Sequence, residues 1–332
     1  MSQPEFSFII ATHNEDPAIL AATVQGIRSL GDPDVVEIII VDDASADPVE
    51  QFDPKFARLI RTVSKTPHGI ARSRNAGADV ATGRTLIFTD AHVAFSTNII
   101  DVLRSSGVAE GDGIRGCQTA ILHHPDDLKF AAGGGRPFET CFIAQYLAWK
   151  LDLTGFPKVW PISAGTPFDD TWENVPYVGG CCLAISRELF DDLGGFASCL
   201  VGIGNGGDLE LAIRCHAVGL PVRSTRLATC YHLTENRKHS IDYSDPLSAY
   251  DLDRYPGSTT NILRTVARYV DASHVLREAR WRSFTLDQIR FLLDGDGGHE
   301  MLERMYSVRT RFLASKPLPG KMRSIMTAGE PL

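Results

Sequence analysis

No Cys-x-x-Cys pair occurs in this chain, and its seven cysteines are an odd number. Neither a zinc ribbon nor a complete disulfide framework is therefore indicated. Positive charge is not in excess: 33 Lys and Arg stand against 41 Asp and Glu, a net charge of −8. That excludes a chain which as a whole coats nucleic acid or an anionic membrane. No apolar run approaches the ~18 residues that a spanning helix needs, and the densest, 35–41, is interrupted by Glu37. The opening Met1-Ser2-Gln3-Pro4-Glu5 lacks a basic stretch followed by an apolar one, so no signal peptide is expected there. Internal repeats and low-complexity segments are absent. Together these features lead us to expect a cytoplasmic protein without a transmembrane segment. What is present is ordinary globular usage, 43% apolar and 22% charged over 332 residues. That length allows one large domain or two modest ones.

The first 125 residues alternate between two periods. Residues 6–11, 35–41, 59–63 and 84–89 are short apolar runs, the pattern of strands buried on both faces. Between them, 70–80 and a segment near 96–105 read as helices, as does the stretch opened by Asp16-Pro17, an N-cap followed by proline. Strands and helices alternating in this way predict a parallel sheet flanked by helices. The middle, 125–176, reads as loops with one helix near 140–151. A strand at 178–185, helices at 187–193 and 208–218, and a strand at 222–229 follow. Beyond Pro246 the pattern turns helical, at 258–270, 286–293 and 301–313, with a loose tail from 317.

Three features sit where buried strands end. Thr12-His13-Asn14-Glu15 follows the first, Asp42-Asp43-Ala44-Ser45 the second and Thr89-Asp90-Ala91-His92 the fourth. In open parallel sheets ligands bind outside the carboxyl ends of strands, where polar loops and helix N-termini converge. Such residues also make plain turns and caps. A carboxylate and an imidazole one residue apart, Asp90 and His92, can turn toward one divalent cation, and that donor pair suits manganese or zinc better than calcium. Other Asp-x-Asp pairs, such as Asp294/Asp296, do not follow a buried strand and read as turns.

The order F-x-x-I-I-A-T-H-N-E, I-I-I-V-D-D-A-S, G-I-A-R-S-R-N-A-G-A and L-I-F-T-D-A-H resembles the nucleotide-sugar half of family-2 glycosyltransferases with the GT-A fold. So do V-G-G-C-C-L-A-I, F-D-D-L-G-G-F and the run Gly206-Gly207-Asp208-Leu209-Glu210 further on. The pairing of Asp-x-His with a later histidine is similar to polypeptide N-acetylgalactosaminyltransferases. The resemblance spans about residues 6–236. It implies an α/β GT-A fold, Rossmann-like with a mostly parallel sheet. The GT-A domain would cover 1–240, with a nucleotide-binding half to about 125 and an acceptor half at 126–240. Residues 241–332 would form a helical extension.

Residue by residue, the resemblance implies that Thr12 and Asp43 contact base and ribose, with Asn14 and Glu15 nearby. Arg74, and with it Arg72, would lie beside the diphosphate, and Gly179 and Gly180 against the donor sugar. Asp90, His92 and His232 would bind Mn2+ (or Mg2+). Asp208 stands where inverting members carry a general base, with Glu210 the neighbouring alternative; helix capping would equally explain Asp208. Retaining N-acetylgalactosaminyltransferases have Gly-Gly-Glu-Asn at that place, which this chain lacks.

The expectation is thus a metal-dependent transferase moving a hexose or N-acetylhexosamine from a nucleoside diphosphate sugar, with UDP-sugar the expected donor. The acceptor would be a glycan, peptide or small molecule, and not nucleic acid. The rivals are a retaining transferase, a catalytically silent module and a sugar-nucleotide nucleotidyltransferase. The last would need a Gly-rich loop with a basic residue after the first strand, which 12–15 does not supply. Arg277-Glu278-Ala279-Arg280-Trp281 departs by one residue from the Gln-x-x-Arg-Trp of processive synthases and reads as a basic helix face. Trp149, Trp160 and Trp172 are either an acceptor platform or core.

Overall fold

A computed structural model of the chain describes residues 3–49, 52, 57–61, 68–137, 140–148, 158–163, 172–175, 177–197 and 207–234. The helices expected beyond 246, the 277–281 segment, Trp149 and the boundary at 240 lie outside these residues.

The first strand, β1 (Phe6–Thr12), is buried at all but one position, because both of its faces are covered. Its neighbours in the chain are α1 (Pro17–Arg28), β2 (Val36–Asp42), β3 (Arg58–Arg61), α2 (Ile70–Val80), β4 (Thr85–Asp90), β5 (Val93–Phe95) and α3 (Ile99–Arg104). Then come β6 (Ile114–Leu122), α4 (Pro125–Ala132), β7 (Thr140–Ala148), β8 (Lys158–Ser163), β9 (Glu173–Asn174), β10 (Leu183–Ser186), α5 (Arg187–Leu193), α6 (Gly207–Ala217) and β11 (Val222–Leu233). The eleven strands belong to one sheet ordered β3-β2-β1-β4-β10-β6-β11-β5, with β7, β8 and β9 branching from it.

The half built from β3, β2, β1 and β4 is parallel, as expected. β10 enters antiparallel to both β4 and β6, so the whole sheet is mixed. Adjacent residues of β1 feed opposite layers. Ile9 belongs to one core layer with Val41, Phe88 and Leu211, whereas Phe8 and Ile10 belong to the other with Leu20, Val24 and Ile40. Where α2 crosses β1, a Cβ on Gly77 would stand 2.4 Å from Ile9 Cγ2. That close approach is the reason for the second glycine in the G-I-A-R-S-R-N-A-G-A run.

Three expectations are corrected. The helix expected near 140–151 is the strand β7, which pairs with β6 through Phe142–Thr119 and with β8 through Tyr146–Trp160. Its Thr, Phe, Ile and Tyr suit a pleated surface, and pairing on both edges outweighs any helical spacing. The strand expected from 178 begins only at Leu183; the glycines before it form a turn. The last expected strand runs on past 229 to Leu233, through a register shift between Thr225 and Thr229. That continuation carries His232 to the site.

Candidate active site

β1, β2 and β4 run parallel with Thr12 opposite Asp42 and Ala11 opposite Asp90. The three polar strand ends therefore share one edge of the sheet. The loops after β1 and β2 interlock there. Asn14 Oδ1 accepts from Ala46 N at 2.7 Å, and Ser45 Oγ accepts from Asn14 N at 2.9 Å. Asn14 and Ala44 both take left-handed backbone, φ 52° and 57°, a conformation costly for alanine and tolerated by asparagine. Asp43 is buried, and its two carboxylate oxygens accept the backbone N–H groups of His68 and Gly69, each at 2.8 Å. Gly69 is the N-cap of α2, so Asp43 fixes the start of that helix.

Asp90 ends β4. The chain then turns at Ala91 and His92 into β5, and β5 pairs antiparallel with β11, setting His232 opposite Val93. Asp90, His92 and His232 thus meet across 142 positions of sequence. Each offers one ligand atom, and these atoms lie within 4.8 Å of one another. His232 Nε2 is 3.2 Å from Asp90 Oδ2, and the two imidazole rings are 5.0 Å apart. Two imidazole nitrogens and a carboxylate are a donor set that could hold a divalent transition metal. Burial pushes the Asp90 carboxyl up, but the His232 hydrogen bond and the Arg74 guanidinium, with His92 adding to them, hold it well below the usual carboxylate range.

Arg74, expected beside a diphosphate, is held against Asp90 and Gly180. It is 4% exposed; its Nη2 donates to Asp90 Oδ1 at 3.0 Å and to the Gly180 carbonyl at 2.7 Å. Phe196 lies beneath it, 5.7 Å from ring centre to guanidinium carbon. Arg72 is exposed, two positions earlier and on the opposite side of α2. A Cβ on Gly180 would stand 2.6 Å from Arg74 Nη1, so close packing by Arg74 requires this glycine. Gly179 carries no such constraint; a Cβ there would meet only Cys181 Sγ at 3.5 Å.

The Gly180 N–H donates to Asp208 Oδ2 at 3.0 Å. Asp208 lies within the first turn of α6, inside the helix rather than at its cap position. Glu210 is placed differently. It is fully buried and pairs with Arg214 at 2.6 Å, and Arg214 in turn donates to the Leu193 and Gly195 carbonyls. This pair fastens α6 to the end of α5. Trp172 packs onto the core, with the Arg115 guanidinium 5.8 Å from its ring centre.

Two contacts were not foreseen. Glu15 reaches His92, and Asn75 clamps Phe196: its Nδ2 donates to the Phe196 carbonyl and its Oδ1 accepts the Phe196 N–H, each at 2.8 Å. A polar residue one place after Arg74 on a helix facing the sheet was the only signal for the second.

A mixed sheet flanked by helices, with the polar ends of its parallel strands gathered at one edge, is the GT-A fold. Residues 7–194 match the model of Glycosyl transferase family 2, and the chain belongs to that family. Among its relatives, polypeptide N-acetylgalactosaminyltransferase 8 of Drosophila melanogaster is 25% identical over 73% of this chain and 40% of its own length. Polypeptide N-acetylgalactosaminyltransferase 10 of Homo sapiens is 28% identical over 58% of this chain and 32% of its own. Validoxylamine A glucosyltransferase of Streptomyces hygroscopicus subsp. limoneus is 23% identical over 73% and 54%. The chain therefore spans a third to about half of these relatives' lengths. The crystal structure of GalNAc-T7 with UDP, GalNAc and Mn2+ superposes with a TM-score of 0.61 at 17% identity, over 96% of this chain and 59% of that one.

Proposed function

We propose that the protein is a metal-dependent, inverting glycosyltransferase that uses a UDP-sugar to glycosylate an acceptor hydroxyl. The observation that carries this reading is the convergence of Asp90, His92 and His232 beside the Arg74–Gly180–Asp208 chain of hydrogen bonds. Thr12 Oγ1 and Arg74 Nε are buried and have no hydrogen-bond partner among the described residues. Unsatisfied buried groups at a ligand-binding edge support a bound polar molecule there. The structure of GalNAc-T7 with UDP, GalNAc and Mn2+ supports the choice of donor and cation.

In this reading Asp90, His92 and His232 hold Mn2+, which when bound supplies positive charge to a leaving nucleoside diphosphate. Arg74 keeps Asp90 aimed at the cation and neutralises part of its charge. The loops stapled by Asn14 and Asp43 form the nucleotide platform. Asp208, held by the Gly180 N–H, accepts the acceptor proton as the hydroxyl attacks the anomeric carbon opposite the diphosphate, so an α-linked donor yields a β-linked product. Glu210 has no part in this step, since its carboxylate is committed to Arg214. We place the reaction in a reducing compartment; the five described cysteines, all buried free thiols, support that setting.

The test is donor hydrolysis across UDP-, GDP- and TDP-sugars, in EDTA and with Mn2+ restored. Turnover of UDP-sugar alone, abolished by EDTA and recovered with Mn2+, is expected. Full turnover in chelator would sink the metal assignment, and preference for GDP-sugar the donor assignment.

A further inference from the structure

We propose that Glu15 is a positioning residue for the cation ligand His92, and not a contact of the nucleotide. The proposal rests on the metal-dependent reading above.

His92 Nδ1 lies 2.8 Å from Glu15 Oε2. An ionised carboxylate can only accept, so Nδ1 carries the ring proton and the Nε2 lone pair is left for a metal. The carboxylate is rigidly placed. Its side chain is 4% exposed, and Oε1 accepts the Asp16 N–H at 3.0 Å. Asp16 in turn caps α1 by accepting from Ala18 N at 2.7 Å and Ile19 N at 3.3 Å. The left-handed Asn14 turns the chain immediately before it. Both Glu15 oxygens are thus engaged by the protein at the root of a helix.

The same helix holds the backbone on which His92 rides. Thr23 of α1 is fully buried; its hydroxyl donates to the Ala91 carbonyl at 3.0 Å and accepts the Val93 N–H at 3.1 Å. Thr23 therefore fixes the main chain on either side of His92, while Glu15 fixes the ring. A carboxylate behind a ligating imidazole sets its tautomer and increases its donor strength, and loss of such a partner weakens metal affinity by ~10–100-fold.

The test uses the full chain stripped of metal. Mn2+ is titrated and the free ion followed by electron paramagnetic resonance; UDP binding is measured without metal by calorimetry. Glu15→Ala is expected to bind Mn2+ ~10–100-fold more weakly, with metal-free UDP affinity unchanged. Glu15→Gln should fall between, since its amide oxygen keeps the tautomer but not the charge. Wild-type Mn2+ affinity in Glu15→Ala would overturn the proposal, as would a loss of metal-free UDP affinity equal to the loss for Mn2+. Should the variants fail to fold, nitrogen-15 NMR of the wild-type imidazoles decides: a proton on His92 Nδ1 supports the role, and one on Nε2 overturns it. Failure of the underlying reading is distinguishable, because wild type and Asp90→Asn would then bind Mn2+ equally poorly.

Discussion

Arg74 and Gly180 are interlocked: the guanidinium donates to the Gly180 carbonyl at 2.7 Å and occupies the space that a Cβ on that residue would need. The other side of the same residue, its N–H, is bonded to Asp208 at 3.0 Å. A single glycine therefore joins Asp90, through Arg74, to the carboxylate at the start of α6. Displacing it disturbs both ends.

Gly180→Ala is accordingly expected to destabilise the fold by ~1–3 kcal/mol, the usual cost of an overpacked site. It should also reduce turnover more than it weakens UDP-sugar binding, since Asp208 loses its anchor. Thermal denaturation together with initial-rate kinetics checks this. Unchanged stability would mean that the guanidinium swings aside at no cost.

Asp208→Asn preserves an oxygen for the Gly180 N–H but cannot take a proton. Turnover is expected to drop ~10²-fold or more with donor affinity nearly intact. Proton NMR of the anomeric centre in fresh product should show a β-linkage from an α-donor. An α-product would remove Asp208 from the base role and favour the retaining alternative.

Asp43→Ala removes the acceptor for two backbone N–H groups at the start of α2. Leaving these unpaired is expected to cost ~1–3 kcal/mol of stability. UDP affinity should fall as well, because the loop proposed as the nucleotide platform loses its tether. Urea unfolding and calorimetry measure the two effects; stability equal to wild type would contradict the tether.

Acid should expose the Asp90 cluster. Its carboxyl is held low in the folded chain by His232 and Arg74, against the opposing effect of burial. A depressed carboxyl contributes stability that is fully present above its unfolded value of ~3.9 and is lost as pH falls below it. In chelator, wild type is expected to lose more stability than Asp90→Asn between neutral pH and about pH 3. Parallel urea-midpoint curves for the two proteins would refute this.

The parallel half of the sheet was legible in the sequence because its signal is local. Runs such as Phe6 to Thr12, buried on both faces, are continuous in apolar residues, and polar residues at their ends mark the edge where ligands gather. Asp90 and His92 were readable for the same reason. The resemblance to a family placed His232, Asp208 and Gly180, which no local pattern could have joined.

What only the tertiary structure decided are relations between distant segments. Strand β7 exists because β6 and β8 offer it two edges, a contest that local spacing cannot report. Arg74 and Arg72 look alike in sequence, yet one is buried against Asp90 and the other is exposed, because α2 turns its faces in opposite directions. Glu210 is the neighbouring alternative to Asp208 in sequence, but the fold pairs Glu210 with Arg214 and sets Asp208 against the Gly180 N–H. Glu15, expected near the nucleotide, stands 2.8 Å from a histidine 77 positions away, a contact that no local pattern announces. Composition and periodicity follow from each residue's own preference for water or core, whereas partnership depends on which segments the sheet brings together.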